Sequence, residues 1–305
     1  MLIAIDHGNY AIKTPRHTFV SGLAEHTVKP PMADEILEYD GRYWTPSGKR
    51  LSYMRDKTQD ERYFILTLLA IAKELEDAGR YNPIEQIQLA VGLPPEHYGV
   101  LRDKFARYFK RDGIIKFVYN EKPYSITIDK VMVFPQAYAA VVPQSSMVVN
   151  MLRVFIIDIG GYTTDVLLLK NGKPDLQFCR SLETGIITMN NEIIRKVGAL
   201  HDMRIEDEHI SAVLSGQETI LPEDVKQTIR SATRLHAQDI LNQLRELQVD
   251  LRSNPAVFIG GGSLLLRPFL EESPLVAKAD FVESPNANAL GYELLGRVQL
   301  SHRPV

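Results

Sequence analysis

Short apolar runs alternate along this chain with amphipathic stretches, and the two patterns predict different elements. Apolar or alternating runs of strand length predict β-strands near residues 2–6, 17–23, 36–45, 87–91, 114–119, 124–134, 154–159, 164–169, 175–181 and 256–260. Apolar residues at helical spacing predict helices near residues 60–78, 95–110, 135–143, 184–198, 205–213, 222–247, 264–270 and 285–298. Each half of the chain therefore opens with strands and continues with helices, which favours two related α/β domains.

Turn-forming residues divide the strands into pairs and mark a boundary between the halves. Hairpin turns are predicted where such residues separate two strand-like runs, at Asp40-Gly41, Asn120–Pro123 and Asn171-Gly172. The polar segment Gln144–Ser146 follows the last helix of the first half, so we expect domains over residues 1–150 and 151–287. A final helix over residues 288–305 is expected to return to the first domain.

Composition and charge indicate a globular protein. The chain has 305 residues, of which 45% are hydrophobic and 24% are charged, so it can bury a core in each domain. Its net charge of −3 carries no general signature of nucleic-acid binding, and we expect no direct contact with nucleic acid. The single cysteine, Cys179, excludes a framework of intrachain disulfides. No run of about 18 apolar residues occurs, so we expect no signal peptide or membrane span, and a cytoplasmic location.

Two motifs, residues 5–13 and 157–165, repeat one design in the two halves. In each motif an apolar strand delivers an aspartate, Asp6 or Asp158, and small residues follow. An aspartate can hold a hydrated divalent cation, and a glycine-rich turn brings backbone N–H groups against phosphate oxygens without a Cβ in the way. Two such turns facing one another would clamp the phosphates of a nucleotide. The alternative is a pair of ordinary tight turns.

Several residues in the two motifs are candidates for binding phosphate. Lys13, one hairpin step past the first turn, could place its ammonium on a terminal phosphate; the alternative is a solvated lysine on a surface strand. The remaining candidates are the turn residues themselves, namely Gly8, Asn9, Gly160, Gly161, Tyr162 and Thr163. The hydroxyl of Thr163 would add a donor to the backbone N–H groups.

Two further segments carry candidate chemistry. Gly260, Gly261 and Gly262 follow an apolar strand, so a flat base or ribose could lie against their main chain; the alternative is a plain loop. In the segment Phe134–Ala140, Pro135 is predicted to start a helix, and Gln136 at its tip could orient an attacking water.

Taken in order, these segments resemble the motifs of the actin-like ATPase superfamily, which also includes sugar kinases and the ATPase domain of heat-shock chaperones. The matching segments are Asp6–Lys13 (first phosphate motif), Phe134–Ala140 (first connecting motif), Asp158–Asp165 (second phosphate motif), Ile259–Ser263 (adenosine motif) and Ala287–Gly291 (second connecting motif). The resemblance implies an actin-like, ribonuclease H-like fold of two duplicated α/β domains with a nucleotide cleft between them.

Within that superfamily the chain is most similar to the ParM-type bacterial actins that segregate plasmids. The hairpin Glu38–Trp44, the segment Val91–Pro94 and the second motif carry this similarity. The chain departs from the pattern at Tyr162, where a third glycine is common. The resemblance implies binding of ATP and ADP, with GTP as an alternative, together with Mg²⁺.

The resemblance also implies a role for each candidate residue. Asp6 and Asp158 would hold Mg²⁺ or its waters and take part in catalysis, and Gln136 would position the hydrolytic water. Lys13 and the two turns would contact the phosphates, and Gly260–Gly262 would border adenosine and phosphate. Gly185 would lie on the ribose and base side; the alternative is a glycine that only starts a helix.

The expected function is a slow, Mg-dependent ATPase that assembles into nucleotide-dependent filaments. Plasmid DNA would be reached through a separate adaptor protein. Self-association requires a head-to-tail surface, for which the hairpin near residues 40–49 and the basic segment 102–111 are candidates. One alternative is a small-molecule kinase that transfers the γ-phosphate to a hydroxyl, and a chaperone-like interaction module is less expected.

Overall fold

A computed structural model describes residues 1–301 of the protein. The chain forms two compact units: Met1–Gln144 together with the segment that begins at Asn286, and Ser145–Pro285. The first of these segments ends at Gln144, whereas the expected first domain ends at residue 150. Residues 302–305 of the expected C-terminal helix lie outside the described residues.

The described chain contains strands and helices with the following bounds. The strands are β1 (Leu2–His7), β2 (Ala11–Lys13), β3 (Thr18–Val20), β4 (Leu23–His26), β5 (Leu37–Tyr39), β6 (Arg42–Pro46), β7 (Glu85–Leu93), β8 (Ile115–Tyr119), β9 (Lys122–Pro135), β10 (Arg153–Ile159), β11 (Thr164–Lys170), β12 (Lys173–Leu182), β13 (Ala256–Ile259) and β14 (Ala279–Phe281). The helices are α1 (Arg62–Asp77), α2 (Pro95–Phe109), α3 (Tyr138–Val141), α4 (Ile186–His201), α5 (Asp207–Leu214), α6 (Glu223–Glu246), α7 (Gly261–Glu271) and α8 (Ala287–Ser301). Short 3₁₀ segments cover Lys57–Gln59 and Val142–Met147.

The first unit is built on a nine-stranded mixed sheet in the order β3-β2-β1-β7-β9-β8-β5-β6-β4. Strands β1, β7 and β9 run parallel at its centre, and hairpins extend it on both sides. Successive residues of a strand point to opposite faces. Ile3 and Ile5 of β1 pack in the large core with α1 and α2, whereas Ala4 packs in a smaller cluster with Ala139 and Tyr292.

The second unit repeats this arrangement with a five-stranded sheet in the order β12-β11-β10-β13-β14. Strands β10, β13 and β14 are parallel, and β11 and β12 continue the sheet as an antiparallel meander. Phe155, Ile157 and Ile159 of β10 lie in one core with apolar residues of α4, α5, α6 and α7. The predicted α/β architecture in two related halves is thereby confirmed.

The three predicted hairpin turns are confirmed, and their backbones explain the residues found there. Both central residues have positive φ at Asp40-Gly41 (51° and 70°), Asn120-Glu121 (47° and 69°) and Asn171-Gly172 (50° and 72°). Two-residue turns of this kind match the twist of the flanking strands and favour Asn, Asp and Gly. Among the described helices, none is both long enough and apolar enough to cross a membrane.

Candidate functional site

The first turn, Gly8–Tyr10, joins β1 to β2. Asp6, which is 5% exposed, lies opposite Lys13 in this antiparallel pair, so one ladder position carries a carboxylate and an ammonium group. Within residues 1–301, the backbone N–H groups of Gly8, Asn9 and Tyr10 donate to no protein acceptor. Successive free N–H groups in a turn form a concavity that favours anions. Lys13 is half-buried and has no ion pair with any described residue.

Side chains from other parts of the first unit form hydrogen bonds with this turn and with the residue before it. Ser21 Oγ donates to the carbonyl of Gly8 at 2.5 Å, and Tyr63 OH donates to Asn9 Oδ1 at 3.2 Å. Lys57 Nζ donates to the carbonyl of His7. Because the carbonyls and the Asn9 side chain are engaged in this way, the N–H groups of the turn are left for a ligand. Sequence reasoning missed these supporting residues, since nothing in the local pattern links them to the turn.

His7 anchors the turn to the core. Its ring stacks on Phe109 with centroids 4.8 Å apart, and its Nε2 lies 2.8 Å from Thr67 Oγ1. The Thr67 hydroxyl donates to the carbonyl of Tyr63, so it accepts from His7 Nε2–H. Burial, and to a lesser extent the charge of Lys57, lowers the pKa of His7 to about 3. His7 is therefore neutral at physiological pH and acts as part of the core.

Gln136 and Asp6 are brought together, although they are far apart in sequence. Gln136 Nε2 donates to Asp6 Oδ1 at 2.9 Å. The prediction that Pro135 starts a helix is wrong: Pro135 ends β9, paired with Leu93 of β7, and α3 begins only at Tyr138. A proline is tolerated at this strand end, where its missing N–H breaks no interior ladder bond. Gln136 thus follows the carboxyl end of a central parallel strand, beside the end of β1.

The second turn, Gly160–Thr163, joins β10 to β11, and one residue, Ile159, separates it from Asp158. Gly160 N–H donates to the carbonyl of Thr163 at 2.9 Å and closes the turn. Thr163 Oγ1 donates to Asp165 Oδ2 at 2.8 Å, so its hydroxyl fixes the turn from within. Within the described part of the chain, the N–H groups of Gly161 and Thr163 donate to no protein acceptor. This turn can therefore receive an anion much as the first turn can.

The start of α4 packs directly against the second turn. The N–H groups of Gly185, Ile186 and Ile187 donate to the carbonyls of Tyr162, Gly160 and Gly161 at 3.0, 3.1 and 2.7 Å. These three bonds turn the carbonyls of the loop toward the helix and leave its N–H groups on the other side. A Cβ at Gly185 would overlap the backbone of Gly161 and Tyr162. Gly185, the N-cap residue of α4, thus contacts the second turn.

The third glycine segment also lies beside Asp158. Gly260 follows β13, which pairs in parallel with β10, and has φ 85° and ψ 158°, a conformation restricted to glycine. A Cβ there would come within 2.5 Å of Asp158 Oδ1. Gly261 and Gly262 form the first turn of α7 and not the loop that was the alternative, and no side chain caps this helix. The N-terminal N–H groups of such a helix favour an anion.

No protein cage for a metal is present in the described residues. No group of three or more His, Cys, Asp or Glu side chains converges there. Mg²⁺ is usually bound by one or two carboxylates together with water and substrate phosphates, so Asp6 and Asp158 fit this ion as single ligands beside anion-binding turns. A groove of about 550 Å³ lies elsewhere in the second unit, between α4 and α6, and its lining includes none of the predicted site residues.

Comparison with known proteins agrees with this arrangement. Residues 4–138 match the family of actin-like proteins, N-terminal domain, and residues 156–272 match the C-terminal domain of archaeal actin homologues that are MreB-like. No curated protein matches the sequence.

Solved structures show the same fold along nearly the whole chain. The archaeal actin homologue Ta0583 is 20% identical, with a TM-score of 0.78 over 97% of this chain and 99% of that chain. Ta0583 in complex with ADP gives 0.75 at 18% identity, with coverage of 97% and 99%. A subunit of a 15-stranded ParM filament from Clostridium botulinum gives 0.73 at 18% identity, again covering 97% and 99%. The chain has the actin-like fold and belongs to the actin-like ATPase superfamily.

Proposed function

We propose that this protein binds and slowly hydrolyses ATP with Mg²⁺ and assembles into nucleotide-dependent filaments of the ParM kind. The observation that carries the proposal is the pair of glycine turns, each with free N–H groups and each separated by one residue from an aspartate near a strand end. We propose further that the two compact units are the two domains of this fold and that both turns serve one nucleotide. GTP remains the alternative nucleotide.

The turns and the start of α7 would bind the phosphates and the nucleoside. Gly8, Asn9, Gly161 and Thr163 would contact phosphate oxygens through backbone N–H groups, and the ammonium of Lys13 would add charge. Gly160 and Tyr162 would line the same turn, in which the Gly160 N–H is already bonded to Thr163. Gly260, Gly261 and Gly262 would border adenosine. Gly185 would act by shaping the second turn, given its packing there. Ta0583, which shares this fold, has been solved with ADP, which supports a nucleotide as the ligand.

Asp6 and Asp158 would hold Mg²⁺ or its waters. When bound, the ion would neutralise charge on the phosphates. One carboxylate oxygen of Asp6 accepts a hydrogen bond from Gln136, so the carboxylate and the amide would lie side by side next to the phosphates. This arrangement would orient both groups before the ligand arrives.

Gln136 is proposed to position the attacking water. An amide can donate to and accept from water without ionising, so it orients a nucleophile but supplies little basicity. No strong base is therefore assigned, which is the reason that slow hydrolysis is expected. Closure around ATP would favour addition of subunits, and later hydrolysis would weaken the polymer.

Assembly and cargo are proposed from the related structures. Filament structures have been solved for relatives that share this fold, including Alp12 and the ParM of Clostridium botulinum. We propose that this chain self-associates in the same general way and that a separate adaptor connects it to plasmid DNA. Its net charge of −3 gives no reason to expect direct contact with DNA.

The test is nucleotide binding and phosphate release by the purified protein and two variants. Gln136→Ala should lower the hydrolysis rate at saturating Mg·ATP by about a hundredfold with ATP affinity retained, whereas Asp158→Ala should remove the Mg²⁺-dependent part of that affinity. Gln299→Ala, at an exposed position on α8, is the matched control. Absence of binding to both ATP and GTP would overturn the proposal. Release of ADP only when a hydroxyl acceptor is present would favour the kinase alternative.

A further inference from the structure

Gln136 is followed by a buried and strained backbone turn. Ala137 has φ 61° and ψ −54°, and Tyr138 N–H donates to the carbonyl of Gln136 at 2.6 Å. A bond from residue i+2 to residue i with a positive central φ defines the rare form of γ-turn, which is strained for a residue with a Cβ. Such conformations persist only where surrounding contacts hold them. Ala137 is fully buried, so those contacts come from the protein.

Two contacts hold this turn in place. Gln136 N–H donates to the carbonyl of Leu93 at the end of β7, at 2.8 Å. Ala137 N–H donates to Asn288 Oδ1, in the first turn of α8, at 3.0 Å. A regular helical start at residue 137 would take both the backbone and the Gln136 side chain away from this position. The Asn288 side chain therefore supplies the acceptor that the buried N–H of the strained residue requires.

The same turn sets the direction of the Gln136 side chain. With its N–H fixed on Leu93 and its carbonyl fixed by Tyr138, Gln136 reaches Asp6 Oδ1 through Nε2 at 2.9 Å. We propose that Asn288 is a positioning residue for hydrolysis: by holding the γ-turn at Ala137, it keeps the Gln136 amide beside Asp6. This inference rests on the proposed function, because it concerns the step that Gln136 is proposed to serve.

The neighbouring asparagine, Asn286, contacts a different segment of the first unit. Asn286 Oδ1 accepts from Thr18 Oγ1 at 2.8 Å, so it links the start of α8 to β3. Asn288 instead contacts the segment that carries Gln136, which is far from β3 in the sequence.

The test compares variants that remove or keep the acceptor. Asn288→Ala should lower the single-turnover hydrolysis rate at saturating Mg·ATP by about tenfold, while the dissociation constant for ATP changes by less than about threefold. Asn288→Asp keeps an Oδ acceptor and should retain most of the rate. Because glycine adopts positive φ without strain, Ala137→Gly should reduce the effect of Asn288→Ala in the double variant. Gln299→Ala on the same helix is the control for general effects of substitution.

A second readout follows the contact itself. Amide hydrogen exchange at Ala137 should be slow in the wild type and in Asn288→Asp and should be faster in Asn288→Ala, which identifies the affected N–H even if that variant is less stable. A wild-type hydrolysis rate in folded Asn288→Ala, or an equal loss in Asn288→Asp and Asn288→Ala, would overturn the inference. If the wild-type protein neither binds nor hydrolyses nucleotide, the proposed function fails first and this inference falls with it. Hydrolysis by the wild type with no effect of Asn288 would refute the inference alone.

Discussion

At the scale of residues, His7 joins the candidate site to the core. It directly follows Asp6, yet its ring is 1% exposed and packs between Phe105 and Phe109, while Lys57 contacts its carbonyl. The alternation of a strand sends Asp6 and His7 to opposite faces. Asp6 can therefore face a ligand while His7 packs in the core. Protonation of His7 should lower the free energy of unfolding.

Lowering the pH from 7 to 5 should destabilise the first unit through His7. The pKa of His7 is 6.5 in the unfolded chain and about 3 in the folded protein. The contribution of neutral His7 to the free energy of unfolding is therefore fully present above pH 6.5 and decreases as the pH falls toward 3. At about 1.4 kcal/mol per pH unit, the wild type should lose roughly 2 kcal/mol more than His7→Gln, which cannot be protonated. Urea unfolding followed by fluorescence of Trp44, the single tryptophan, reports on this unit. Equal pH dependence of the two proteins would refute this.

A second prediction at this scale separates ligand contact from folding at the start of α7. Gly261→Ala adds a Cβ with nothing within 4 Å, whereas at Gly262 it would come within 2.6 Å of the Ile159 carbonyl oxygen. We expect Gly261→Ala to change stability by less than about 0.5 kcal/mol and to weaken ATP binding about tenfold, because a ligand would approach the main chain there. Gly262→Ala should lower the melting temperature. Normal ATP affinity in Gly261→Ala would contradict a ligand role for this glycine.

At the scale of elements, α8 is fitted to the first unit by small residues. Gly291 lies against the backbone of Ala139 in α3, Gly296 lies near Leu2 of β1, and Tyr292 fills the space above Gly92 in β7. Ala4, Ala90 and Ala139 complete this cluster. Close approach is what allows Asn288 at the start of α8 to reach Ala137. The packing of the helix and the position of the glutamine are therefore linked.

Alanine at Gly291 should destabilise the first unit, in contrast to alanine at another helical glycine. The new Cβ would overlap the Ala139 carbonyl, and overpacking of this kind costs about 1–3 kcal/mol. Gly99→Ala in α2 meets nothing within 4 Å and should stabilise the unit by about 0.5–1 kcal/mol through helix propensity. Denaturant unfolding of both variants with Trp44 fluorescence makes the comparison. Similar stability of the two variants would show that α8 does not pack as described.

The sequence predicted elements best where a local pattern was long or chemically distinctive. The apolar runs before Asp6 and Asp158 and the three hairpin turns fall into this class. Strands β2 and β14 were missed, because runs of three residues are too short to show a period. The helix expected at Pro135 was wrong, because pairing of β9 with β7 extends the strand to that residue.

Contacts across the chain were beyond prediction from pattern. The sequence proposed Asp6 and Gln136 separately, but only folding places their side chains 2.9 Å apart. Asn288, Ser21 and Tyr63 carry no local signal that would connect them to the turns they hold. Local spacing can indicate which backbone is suited to an anion, whereas the residues that orient a side chain come from distant strands and helices.

At the scale of the whole molecule, assembly requires surface side chains that are not already paired within the chain. In the basic segment 102–111, Lys104 pairs with Asp56 at 2.5 Å, and Arg111 pairs with Glu61 at 3.0 Å. Arg107 and Lys110 are exposed and remain available to an acidic surface on another subunit. Pairing within the chain thus reduces, but does not remove, the charge that this candidate contact could use. The proposed coupling of assembly to nucleotide is a property of the complete chain.

Right-angle light scattering over a protein concentration series, with negative-stain microscopy of the same samples, tests the central claim most directly. With Mg·ATP, scattering should rise only above a critical concentration, and filaments should be seen on the grid. Samples without nucleotide, and Asp158→Ala with Mg·ATP, should stay flat. Flat scattering from wild-type protein that demonstrably binds ATP, at every concentration tested, would contradict the claim that this actin-like protein assembles in response to nucleotide.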